Sequence, residues 1–138
     1  MHGKLILAAA GSALLFAPAS ANSASLGFNL NLQVPVYCSV THQLMNFGAP
    51  VGSDGISLGQ FSEFCNSPNG YRLFISYTPG TLKGTRITAG DEEIVLNGSG
   101  RVLLSEATGP RIRKRSIAAA PGEGGFNADR IELQIEMN

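Results

Sequence analysis

Side chains able to do chemistry are few in this chain and do not cluster. Its 138 residues include two histidines, two cysteines and ten acidic groups. His42 lies in Ser39-Val40-Thr41-His42-Gln43 with no carboxylate nearby in sequence. A general base needs an orienting partner within hydrogen-bond reach, so His42 reads as a solvated side chain in a polar loop. Asp91, Glu92 and Glu93 are consecutive carboxylates. A calcium loop instead alternates its ligands around a fixed glycine, and the triplet reads as a charged turn. Gly98-Ser99-Gly100 lacks the G-x-S-x-G spacing of a nucleophile elbow. With no acid–base pair, spare nucleophile or ligand set, the sequence predicts neither an enzyme nor a bound cofactor or metal.

Arg111, Arg113, Lys114 and Arg115 form the only dense basic cluster. On a strand, Arg111, Arg113 and Arg115 share one face, with Ile112 and Lys114 on the other. The favoured reading is a charged edge that blocks unwanted pairing. The sharper alternative is contact with an anionic surface or polysaccharide. Ten basic and ten acidic residues balance overall, which argues against nucleic acid as a partner.

The elements that must position these groups begin with an export signal. Lys4, the apolar run Leu5 to Phe16 and Ala19-Ser20-Ala21 have the three-part form of a secretory leader, cleaved after Ala21. The run is too short to span a bilayer and nothing later approaches that length, so no membrane insertion is expected. Export permits a disulfide, and two cysteines allow only Cys38–Cys65; the bland alternative is two free buried thiols.

From Leu26 onward the pattern is β. Leu26, Phe28, Leu30, Leu32, Val34 and Val36 are apolar at every second position, with Gly27, Asn29, Asn31 and Gln33 between them. That period describes a strand with one buried face. Further strands are expected over 56–64, 71–77, 85–88, 93–96, 101–104 and 111–117. A last one alternates Ile131, Leu133, Ile135 and Met137 with Glu132, Gln134 and Glu136. Asp54-Gly55, Asn69-Gly70 and Asn97-Gly98 suit tight turns. No stretch has helical spacing. Short strands separated by such turns predict an all-β, immunoglobulin-like β-sandwich with one disulfide.

The order of these features resembles a family. Alternating apolar residues run into Cys38; Val40, Leu44 and Phe47-Gly48 follow; Cys65 is then followed by Gly70-Tyr71 and an apolar strand. Over residues 24–77 this resembles the spore coat protein U group, archaic-type relatives of the pilins of the bacterial chaperone–usher pathway. The resemblance implies a pilin-like sandwich lacking its last strand. It implies a periplasmic chaperone that fills the resulting groove, and an outer-membrane usher where the next subunit's N-terminal extension replaces the chaperone. Here the organisation would be a signal peptide at 1–21, a donor-strand extension at 22–36 and a sandwich at 37–138. Leu26, Phe28, Leu30, Leu32 and Val34 would be the donor strand, and Ile131, Leu133, Ile135 and Met137 the strand at the groove edge. The expected role is a structural subunit of a surface fibre, passing through the periplasm, bound to neighbouring copies or other pilus subunits and serving adhesion or biofilm formation. The competing reading is a monomeric secreted module that completes its own sandwich and binds a surface glycan or protein.

Overall fold

The computed structural model describes residues 27–127 and 131–138. The predicted signal segment and Leu26 lie outside them. The chain divides into a segment ending at Gln33 and a compact unit, Val34–Asn138.

In the first segment, residues 27–33 form no strand, and Phe28, Leu30 and Leu32 are 85%, 88% and 78% exposed. The expected strand is therefore absent over the described residues. An alternating sequence specifies a face to bury, but a strand also needs a neighbour to take up its N–H and C=O groups.

The compact unit is all-β, with no helix among the described residues. Its strands are β1 (Cys38–Gln43), β2 (Pro50–Val51), β3 (Gly55–Cys65), β4 (Tyr71–Ser76), β5 (Arg86–Ala89), β6 (Glu92–Val95), β7 (Arg101–Ala107), β8 (Arg111–Ala120) and β9 (Glu132–Met137). One sheet runs β1-β3-β8-β5-β6, with β2 also paired to β3; the other runs β7-β4-β9. All pairings are antiparallel. The β-sandwich with one disulfide expected from the sequence is what forms.

Alternation explains the layers. Tyr71, Leu73 and Ile75 on β4 point inward and are buried, as are Leu58, Phe61 and Cys65 on β3 and Ile117 and Ala119 on β8. Leu96 and Ile87 complete the centre of the core. Asn69-Gly70 and Asn97-Gly98 turn between strands of opposite sheets, whereas the β5–β6 hairpin turns at Gly90-Asp91. Gly70 has φ +82°, and a Cβ there would fall 1.8 Å from the Ala107 carbonyl oxygen, so only glycine fits this crossing.

Cys38 and Cys65 are bonded and directly opposite each other on β1 and β3. A crosslink of sequence separation 27 removes roughly 3.5 kcal/mol of unfolded-chain freedom in the entropy treatment.

The arginine run meets the two expectations unequally. β8 pairs with β3 over nearly its whole length but with β5 only over residues 117–120, so residues 111–115 have a strand neighbour on one side among the described residues, and the odd-numbered face is the inner one. Arg115 is buried, its side chain 3% exposed, against a Glu63 side chain 1% exposed. Its Nε and Nη2 donate to Glu63 Oε1 at 2.8 and 2.5 Å, Nη2 also to Ser105 Oγ at 2.7 Å, and Nη1 to Glu92 Oε2 at 2.5 Å. The Tyr71 hydroxyl donates to the other Glu63 oxygen. Arg113 pairs with Asp91 at 2.7 Å and Glu92 at 3.4 Å. Arg115 is thus no surface contact and Arg113 is already neutralised, while Arg111 and Lys114 stay exposed. The predicted charged turn supplies two of the matching carboxylates.

Breaking this network from one side leaves a buried charge alone. Arg115→Met is expected to cost about 3–5 kcal/mol, and Glu63→Leu/Arg115→Leu together distinctly less, in urea unfolding. A single-variant loss no larger than the double's would contradict the arrangement. Burial, then the bond to Glu63 and that group's negative charge, push the Tyr71 phenol above its ordinary 10.0. The folded chain therefore holds this proton more tightly than the unfolded chain. Its contribution is complete below the ordinary tyrosine value and is lost as pH rises past it. Stability measured at about pH 9 and about pH 11 should fall more steeply for the wild type than for Tyr71→Phe.

Candidate functional site

The two sheets approach each other along both sides. β6 and β7 adjoin through the short turn at Asn97–Gly100, and β1 and β9 also come together without pairing, each having a strand neighbour on one side only among the described residues. Between those two edges lies a cavity of about 460 Å³, lined by Val40, His42 and Leu44 from β1 and its continuation, Phe47 from the turn that follows, Leu58 and Ile117 from β3 and β8, and Ile131, Glu132 and Leu133 along β9.

Residues facing this space are less covered than their counterparts elsewhere. Inner-face residues of β3 and β4 are buried, but Cys38 and Val40 on β1, and Leu133 and Ile135 on β9, are only half-buried although they pack on the core. Leu44, Phe47 and Met137 are exposed. Among the described residues the core is only partly covered on this side. Both walls also present strand edges, so an entering segment could bury apolar side chains and pair its backbone on either hand.

The floor is shaped by a break in strand pairing. β1 pairs with residues 60–65 of β3 and β2 with residues 55–56, on the same side of β3. Between them β3 bulges at Ser57/Gly59 relative to β8. Gly59 has φ +105°, and a Cβ there would fall 2.2 Å from the Gln43 carbonyl oxygen. The bulge frees the Leu58 carbonyl, which lies 2.6 Å from His42 Nε2. A carbonyl only accepts, so Nε2 donates this bond. His42 is therefore on a strand and not in a loop, while its side chain is exposed as expected, with one bond to the Leu58 carbonyl.

Of the predicted edge residues, Ile131 and Leu133 line the cavity, Ile135 sits further along the same face, and Met137 lies beyond it opposite Tyr71. Val34 and Tyr37 are exposed, and the disulfide closes the end of β1 away from Leu44. Sequence reasoning did not assign His42, Leu58 or Ile117 to a groove. The alternation Cys38, Val40, His42, Leu44 carried part of that signal. Leu58 and Ile117 come from strands whose neighbours no local pattern specifies. No cluster of three or more metal-ligating side chains occurs among the described residues.

The chain matches no protein-family model, no curated protein and no solved structure.

Placing a charge on either wall should close the groove to an apolar strand without dismantling the fold. Val40→Lys and Leu133→Lys are expected to weaken capture of a labelled peptide of residues 26–36 by more than about tenfold in fluorescence anisotropy, while thermal unfolding shifts little because both positions are already part-exposed. Unchanged capture in both variants would show that the peptide binds elsewhere.

Proposed function

We propose that this protein is a structural subunit of a chaperone–usher-assembled surface fibre that polymerises by donor-strand exchange. The observation carrying the reading is the pairing of two incomplete halves in one chain. One is a sandwich with an apolar groove between two unpaired strand edges; the other is an exposed segment with strict two-residue alternation. At ~3.3 Å per residue, the seven residues of Phe28–Val34 extend about 23 Å and the six of β9 about 20 Å. Phe28, Leu30, Leu32 and Val34 are the side chains that would fill the groove, and Asn29, Asn31 and Gln33 would face water.

The energetics support such a transfer. Burying four large apolar side chains contributes of order 6–12 kcal/mol before ordering costs. Ladder bonds to β1 and β9 would set the register. The contact is head-to-tail and does not close on itself, so it propagates as a filament. In this reading a periplasmic chaperone covers the groove in transit and an outer-membrane usher exchanges it for the next copy. The glycan-binding alternative is weakened by the burial of Arg115 and the pairing of Arg113, which leave little of the basic field it needed.

Mature protein exported to a bacterial periplasm should run without boiling as a ladder of multimers that collapses on boiling. Phe28→Asp and Leu30→Asp should be exported normally and yield no ladder. Normal multimers from both variants would defeat the donor-strand assignment.

A further inference from the structure

Donor-strand exchange leaves one problem: the donor segment belongs to the same chain as the groove it would fill. At high local concentration it should complete its own sandwich. To do so, the chain must reverse between Val34 and Cys38, because β1 is itself one wall of the groove.

That stretch is held straight. The β1–β3 ladder continues past Cys38–Cys65, with the Asn66 N–H donating to the Tyr37 carbonyl at 3.2 Å. Beyond it the Asn66 side chain adds a further rung. Its Oδ1 accepts from the Tyr37 N–H at 2.6 Å, and its Nδ2 donates to the Pro35 carbonyl at 3.0 Å. The amide brackets Val36 as a neighbouring strand would, engaging the carbonyl before it and the N–H after it. The Tyr37 ring lies 6.1 Å from the Phe64 ring, and the disulfide fixes the next residue.

The local sequence also resists a turn. Tight hairpins need positive φ at one or both central positions, supplied by Gly, Asn or Asp. Val34-Pro35-Val36-Tyr37 contains none of these. Pro35 fixes its own φ and biases Val34 towards extended conformations.

Building on the donor-strand reading, we infer that Asn66 is a positioning residue that clamps the root of the N-terminal segment in line with β1, preventing self-completion and committing residues 28–34 to the groove of a second copy. An asparagine is suited to this because one side chain offers both the donor and the acceptor that an extended backbone requires.

Two variants of the mature chain test it, read by size-exclusion chromatography with light scattering and by amide hydrogen exchange over residues 28–34. Asn66→Ala removes both side-chain bonds. Insertion of Asn-Gly between Val34 and Pro35 leaves the clamp intact but supplies a hairpin turn upstream of it. In each, the monomer fraction should rise at least fivefold over wild type, and amides in 28–34 should be protected within that monomer, which a loss of local stability alone would not produce. If Asn66→Ala does not fold, the insertion decides alone. Wild-type-like multimers from the folded variants would overturn the clamp and leave the donor-strand reading standing. A wild-type chain that is already a monomer would overturn both, whether its 28–34 amides are protected or open.

Discussion

The Arg115 guanidinium is the interaction on which this sandwich turns. From β8 it reaches Glu63 on β3, the Ala89 carbonyl on β5, Glu92 on β6 and Ser105 on β7, while Tyr71 on β4 binds the same Glu63. An apolar core resists displacement only through shape. A buried charge resists it because any slide strands an ion in a medium that solvates it poorly. The network therefore contributes position more than net stability, fixing both sheets against each other on the side where β6 adjoins β7.

With the sheets held there, the opposite side is left with what the strand count provides. β1 and β9 stand at the two edges with their inner residues half-covered, and a bulge at Gly59 keeps the floor open beneath them. The His42–Leu58 bond satisfies the carbonyl at the bulge. Groove and core are thus consequences of one arrangement, and in the donor-strand proposal the half-covered surface is core surface awaiting one more strand. That is why its affinity would be for a strand with alternating apolar side chains.

The exposed segment and the groove are each unfavourable alone. An alternating strand without a neighbour invites indiscriminate pairing, and so does a sheet edge. In the proposed function, placing both in one chain makes their mutual satisfaction a route to assembly, provided the chain does not satisfy itself first. The disulfide, the Asn66 amide and Pro35 all lie within a few residues of the junction where the proposal puts that choice.

Local chemistry settled much of this protein before any tertiary contact. Alternation placed Tyr71, Leu73 and Ile75 on an inner face and Ile131, Leu133 and Ile135 together, and two cysteines in a chain that reads as exported left a single crosslink. These follow from the period of an extended chain, which any strand obeys whatever surrounds it. The order of strands within a sheet is non-local, and there the expectations diverged. Arg111, Arg113 and Arg115 were correctly placed on one face of a strand. Whether that face met water or the core depended on how the second sheet packs over β8, so Arg115, which looked like part of a surface field, became a buried ion pair and Arg113 a part-exposed one. Glu63 carried a readable warning, an acid in register between Phe61 and Cys65, but its partner lies 52 positions away. Residues 27–36 show the reverse limit: their sequence specifies a strand, yet none forms in the described chain, because the hydrogen bonds that make a strand belong to its neighbour.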